Sequence, residues 1–252
     1  MAGGTRTVQS VERAVEILFI LSRHPRGLGL SEVAEQVGLR PQTAQSLLRT
    51  LEGLDMIAQK AKRAPYVLGP EAIALGRRWM AGNGHVEAAR PVVRDLGRHL
   101  NEHVLLASLR GGSLYRLAET SPDQMVTISP SYASHAVTPT MATVKVLLAY
   151  ASPDGRDEAL EQMGFASDAP AREEYFQELN EVRDKGYALS INETADDLTA
   201  VAVPVMGEAG RAETALGVAM PTARCPADRR DELLEKLQSS ARQIAGKWGL
   251  GQ

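Results

Sequence analysis

Between Arg40 and Arg49 the chain reads RPQTAQSLLR, and its polar side chains are amides, hydroxyls and guanidinium groups with no carboxylate among them. Gln42, Thr43, Gln45, Ser46 and Arg49 fall opposite an apolar stripe of Ala44, Leu47, Leu48, Leu51 and Leu54, the pattern of an amphipathic helix. These side chains suit the edges of base pairs: Gln pairs with adenine, Arg with guanine, and Ser or Thr with either base or phosphate. Glutamate on such a face would be repelled by phosphate, and Glu52 and Asp55 occur only beyond it. Arg40, Lys60, Lys62 and Arg63 flank the helix and are spaced to meet backbone phosphates, which supply affinity and register but no sequence information. A helical hairpin with a merely polar outer face would give the same pattern over this stretch alone.

Other chemistry is sparse. Of the five histidines, only His99 and His103 stand four apart, and a helix-to-strand change is expected between them, so no metal site is expected. Cys225 precedes Pro226 outside any pattern that would lower a thiol pKa, and Asp196-Asp197 reads as a solvated turn. Gly111-Gly112 is a hairpin turn, because no helix and no Lys-Ser/Thr follow to complete a phosphate loop. No nucleophile elbow, zinc-protease motif or dinucleotide fingerprint occurs, so neither an enzyme nor a cofactor is expected.

The elements that must position the polar helix are legible around it. QSVERAVEILFILSRHP predicts a first helix, with Ser10 as its cap and Pro25 as its stop. A second helix is expected from Ser31 as cap, through Val33, Ala34 and Val37, to a positive-φ Gly38. Pro41 fits the first turn of the third, where its missing N–H costs nothing. IAQKAKRAPYVLG then predicts two short strands turning at Lys62–Pro65. Three helices and a basic hairpin make a winged helix-turn-helix. Pro70 opens a further helix to about Gly82, where Trp79 and Met80 are candidates for contact with a second copy.

Beyond it, a helix carrying Pro91 early and burying Val92, Val93, Leu96 and Leu100 precedes the strands VLLASL and SLYRLAE. Helical patterns occupy 140–151, 153–163 and 171–185, strand patterns 187–191, 198–206 and 212–220, and a last helix runs from Ala227 to Trp248. The 252 residues, 44% hydrophobic and 23% charged, suffice for two modest globular domains. Residues 1–70 hold nine Lys/Arg against six Asp/Glu, whereas the rest is acidic, so a basic head sits on an acidic body. One cysteine fits a reducing compartment, Glu12 and Glu16 break the early apolar stretch, and no apolar run nears the ~18 residues that span a bilayer. A cytoplasmic protein without membrane contact is expected.

VQSVERAVEILFIL, LGLSEVAEQVGLRPQTAQSLLRTLEGLDMI and YVLGPEAIALG, in this order, resemble the IclR family of bacterial transcription regulators, and the likeness runs on through GYALSINE, VAVPVM and TALGVAMP to about Trp248. The resemblance implies an α+β chain: a winged helix-turn-helix over 7–69, a linker helix over 70–84, and a GAF-like α/β effector-binding domain over 85–250. It implies operator DNA and a small-molecule effector as partners, and homodimers that pair into tetramers. The chain departs from the family pattern at several places: Pro139 stands at a usual histidine, Val144 and Asp197 at glycines, Ala200 at a cysteine, and Gly217 and Ala219 at serines. By resemblance the effector pocket is walled by Met141, Ala142, Thr143, Ser190, Ala200, Gly217 and Ala219, with Tyr132 and His135 on a loop above. Loss of hydroxyl and thiol groups there predicts a partly apolar or aromatic ligand. The competing reading is a small-molecule-binding or hydrolytic α/β domain whose helix-turn-helix serves only protein association.

Overall fold

The computed structural model describes residues 7–61, 63–124, 127, 137–165, 170–207 and 210–249, and the chain divides into two compact units that meet at Gly82 and Asn83. The first contains α1 (Gln9–Arg23), α2 (Leu30–Gln36), α3 (Pro41–Gly53), the antiparallel pair β1 (Ile57–Gln59) and β2 (Tyr66–Leu68), and α4 (Pro70–Gly82). Ile17, Leu21, Val33, Val37, Leu48, Leu51 and Ile57 close its core. Gly38 takes φ +66° and ends α2 as the spacing predicts: the Leu39 N–H reaches back to the Ala34 carbonyl at 2.8 Å, which turns the chain sharply into α3.

Three expectations fail here. Ser10 lies inside α1, which opens on Val8, and Ser31 lies inside α2, which opens on Gly29. Glu32 takes over the capping of α2, its carboxylate accepting from the Gly29 N–H at 2.6 Å. A carboxylate three residues into a helix satisfies the N–H of the capping residue, one of the donors that the start of a helix leaves open. Leu54, expected in the stripe of α3, is 62% exposed because α3 ends at Gly53 and the chain turns away. The strand pair is held at its base by Leu28, which exchanges two backbone bonds with Tyr66 at 3.0 and 2.8 Å. Gly27 makes this approach possible, since a Cβ there would lie 2.5 Å from the Tyr66 carbonyl oxygen.

The second unit is a five-stranded antiparallel sheet, in the order β4-β3-β7-β6-β5, between two helical layers. Its strands are β3 (His103–Arg110), β4 (Ser113–Thr120), β5 (Ala188–Ile191), β6 (Leu198–Val205) and β7 (Thr214–Pro221). On one face, α5 (Gly84–Leu100) and α9 (Ala227–Lys247) cover Val104, Leu106, Val201, Val203, Leu216 and Val218. On the other, α6 (Ala142–Tyr150) and α8 (Pro170–Lys185) cover Ala188, Ala202 and Ala215, with α7 (Pro153–Gln162) beside them. Large residues on one face and alanines on the other follow from the strict alternation of β6 and β7. Pro91 lies inside α5 rather than in its first turn.

Two buried ion clusters fasten the layers. Glu102, fully buried between α5 and β3, receives Arg224 in bidentate fashion at 2.8 and 2.6 Å, with Arg229 at 3.4 Å. Lys145 is 1% exposed in the middle of α6, and its ammonium donates to Glu178 at 2.6 Å and Glu193 at 2.5 Å. At the far end of α9, the Trp248 indole donates to the His85 carbonyl at 2.7 Å and stacks on the His85 ring.

Candidate nucleic-acid interface and effector site

In the first unit, Pro41 opens α3 and Ala44, Leu48 and Leu51 anchor its inner side. At about 100° per residue, Gln42, Gln45, Ser46 and Arg49 share an outward arc of about 100°, and Thr43 sits on its flank. Gln42, Thr43, Ser46 and Arg49 are exposed, while Gln45 is half-buried. The Ser46 hydroxyl donates to the Gln42 carbonyl at 3.1 Å, leaving its oxygen turned outward as an acceptor. Arg49 lies close enough to Tyr66 to pull its phenol pKa down, although burial and then Glu52 prevail and hold it above the ordinary value.

Arg40 is exposed at the start of α3, and Lys60 and Arg63 are exposed around the turn of the wing. That turn is closed by the Gln59 amide donating to the Ala64 carbonyl at 2.6 Å, and Arg63 sits in the left-handed region at φ +69°. Lys62 lies outside the described residues, as do Tyr132 and His135. The surface therefore gathers a polar arc and flanking cationic groups on one small unit, the arrangement of a major-groove reader with phosphate contacts at its sides.

In the second unit, antiparallel register places Ser190, Ala200, Ala219 and His103 side by side across four strands, on the face that carries α6. One row further along, Ala202, Gly217 and Leu105 align in the same way. The first turn of α6 rests there. Thr143 lies so close to Gly217 that a Cβ on the glycine would be 2.7 Å from the threonine methyl. The row from Ser190 to His103 lies just past this turn, and Ala200 and Ala219 within it are only half-buried, while Ala202 and Ala215 are fully buried. Met141, half-buried, precedes the helix and Ala142, buried, begins it.

Of the seven residues that resemblance suggests, Ser190, Ala200 and Ala219 share one sheet row, Gly217 fits under Thr143, and Met141 and Ala142 belong to the helix start. The expectation of a site poor in hydroxyl groups needs amendment. Ser190, buried, is 3.2 Å from the Thr194 hydroxyl, which accepts from Thr140 at 3.3 Å, and Thr138 is 2.8 Å from Thr140. Lys145 draws in Glu193 and so holds the turn that carries Thr194. Asp197, at the glycine of the family pattern, has φ +57°, a backbone state that glycine adopts freely and aspartate tolerates.

At the opposite end of the row lies a cluster that sequence reasoning did not single out. Arg116 and Glu119 on β4 are ion-paired, and Arg116 reaches the His103 imidazole at 3.3 Å. Burial first, and then the Arg116 guanidinium, push the His103 pKa below its ordinary value, with Glu119 opposing. Cys225 is buried, and that burial raises its thiol pKa, against the pull of Arg230. Among the described residues, no group of three or more His, Cys, Asp or Glu side chains is gathered as for a metal ion, and no helix is long and apolar enough to cross a membrane.

Comparison with known proteins agrees with both halves. The family model described as the IclR helix-turn-helix domain matches residues 10–61, and that of the bacterial transcriptional regulator IclR C-terminal matches residues 83–246. The glycerol operon regulatory protein of Streptomyces griseus is 32% identical over 98% of both chains, and its counterpart in Streptomyces coelicolor is 30% identical over 98% of both. The crystal structure of an IclR transcriptional regulator from Alicyclobacillus acidocaldarius superposes with a TM-score of 0.81 at 28% identity, covering 96% of this chain and 99% of that one. The chain belongs to the IclR family of bacterial transcription regulators, and it is a DNA-binding regulator with an N-terminal helix-turn-helix and a C-terminal effector-binding domain.

Proposed function

We propose that this regulator reads its operator through the outer arc of α3, as a homodimer in the cytoplasm, and that a small molecule on the alanine-floored row of the C-terminal sheet modulates that binding. The observation that carries the DNA reading is the carboxylate-free arc of Gln42, Gln45, Ser46 and Arg49, flanked by exposed Arg40, Lys60 and Arg63. Lys62 and Thr43 add to the phosphate contacts. One winged helix reaches too few bases for regulatory specificity, so two copies on a two-fold site are required. Pairing is supported by α4, which buries no residue within the chain and presents Ile73, Leu75 and Trp79 at 60, 49 and 57% exposure, with Met80 half-buried beside them.

The effector reading rests on the half-buried Ala200 and Ala219 past the first turn of α6, with Met141, Ala142, Thr143, Ser190 and Gly217 around them. Coupling of about 1–3 kcal/mol between the two sites would be reciprocal, so DNA must alter ligand affinity by the same factor. The experiment is fluorescence anisotropy of the full chain on DNA from upstream of its own gene, against a random duplex, over a salt series. Specific binding that weakens steeply with salt supports the reading. Equal affinity for both duplexes refutes it.

A further inference from the structure

Tyr66 stands in the last strand pair before the turn of the wing, opposite Gln59. Its backbone is held from both sides, by β1 and by the two bonds to Leu28 at 3.0 and 2.8 Å. Its ring helps to close the core of the first unit, and only 8% of the residue is exposed. Yet the hydroxyl at the end of that ring has no hydrogen-bond partner among the described residues. It is not sealed inside either, since the one buried polar side-chain atom without a partner among them is Nε of Arg156. A rigid aromatic body therefore delivers a bare phenolic O–H to the surface of the unit.

Its neighbours define where it emerges. Arg49 and Glu52 both lie close enough to act on its ionisation. At about 100° per residue, Glu52 falls between the outward Arg49 and the buried Leu48, so the phenol meets α3 along the border between its polar arc and its core. Across that border is the wing, with Lys60 and Arg63 exposed around its turn. With α3 in the major groove and the wing cations on phosphate, the strand that edges the groove passes over this crease. We infer that the Tyr66 hydroxyl donates a hydrogen bond to a backbone phosphate of that strand and so fixes the register of α3 in the groove. The inference rests on the DNA reading proposed above. Burial and Glu52 favour the protonated phenol, so the O–H remains a donor at neutral pH. Lys60 and Arg63 reach out on long flexible stems, whereas the Tyr66 ring is already fixed and loses little entropy on contact. A neutral donor also leaves a distinct signature. Phosphate contacts carry no sequence information, so its loss should weaken specific and random duplexes alike. Salt dependence comes from cations that release counterions, and a phenol releases none, so the slope should not change.

The test compares Tyr66→Phe with the unaltered full chain by fluorescence anisotropy, on DNA from upstream of its own gene and on a random duplex, over a salt series. The substitution removes one oxygen atom and keeps the ring, and melting curves check the fold. Affinity should fall roughly three- to tenfold on both duplexes, with parallel salt plots. Single methylphosphonate linkages, placed one at a time along the upstream duplex, give a second readout. At one phosphate in each half-site the neutral linkage should cost the unaltered chain more than it costs Tyr66→Phe. A partly unfolded variant weakens every duplex by the same factor, so this comparison stands whatever its stability. Unchanged affinity, a loss confined to the specific duplex, a flattened salt slope, or no linkage whose cost depends on Tyr66 overturns the inference. If the unaltered chain binds both duplexes equally, the DNA reading itself has failed and takes this contact with it. If it discriminates between them and Tyr66→Phe matches it, only the contact has failed.

Discussion

Replacing Arg224 by alanine should be among the most damaging single changes in the C-terminal unit. Glu102 has 1% of its side chain exposed, and Arg224 supplies both of its short bonds, at 2.8 and 2.6 Å. Without Arg224 the carboxylate retains the 3.4 Å contact to Arg229, which is also occupied at 2.6 Å by the Arg224 carbonyl. Breaking a buried pair from one side leaves a charge that neither water nor protein satisfies, at a cost of about 3–5 kcal/mol. For a unit of this size each kcal/mol lowers the melting temperature by about 2–4 °C, so Arg224→Ala should melt roughly 6–20 °C early. Removing both charges should cost far less, because the buried carboxylate goes with its partner: Glu102→Met with Arg224→Met should recover most of the loss. Urea unfolding of the wild type, Glu102→Met, Arg224→Met and the double closes the cycle, followed by far-UV circular dichroism. If the single losses simply add in the double, or Arg224→Ala costs under about 1 kcal/mol, the pair is not the fastening that its burial implies.

Arg49→Ala should weaken the specific duplex by about 1–3 kcal/mol and relax base preference locally, whereas Lys60→Ala should weaken specific and random DNA alike and flatten the salt dependence; anisotropy on both duplexes distinguishes them. His103 has its pKa held below the ordinary 6.5, so in the folded chain it binds fewer protons than the unfolded chain does. Its contribution to stability is complete above that value and is lost as pH falls through and below it, and His103→Gln should flatten the decline of melting temperature over that window. Sedimentation at micromolar concentration should give a dimer, and Trp79→Ala with Ile73→Ala should shift it toward monomer; a wild-type monomer with full operator affinity would refute two-fold pairing.

Local features were legible where one physical rule acted alone. Gly38 and Pro41 punctuate α2 and α3 as their backbone chemistry demands, and the apolar stripe of α3 held through Leu51. Caps were less legible, because a hydroxyl cap at Ser31 would accept from amides after it while the adjacent Glu32 accepts from the Gly29 N–H before it, and either choice starts a helix in this stretch. The charged cluster at one end of the sheet row was hidden for a stronger reason. Arg116 and Glu119 are three apart, and in a regular strand they would point to opposite faces. The register of β3 and β4 shifts between Leu106 and Ala107, an irregularity that inserts a residue and returns both side chains to one face. His103 joins them from another strand, and Ser190 lies far later in the sequence, so only the pairing of five strands brings the row together.

The placement of the two tryptophans makes each unit separately visible. Trp79, on α4 of the first unit, is 57% exposed, whereas Trp248, at the end of α9 in the second, is half-buried with its indole N–H committed to the His85 carbonyl. They are the whole tryptophan complement of the chain. Emission from Trp79 should lie at long wavelength and be open to iodide quenching, and it moves to shorter wavelength if a second copy covers α4. Emission from Trp248 follows the joining of the first and last helices of the effector-binding unit and is lost only when that unit opens. Substituting either one by phenylalanine turns the other into a built-in optical probe, so pairing in one variant and the opening of the effector-binding unit in the other can be followed without an attached dye.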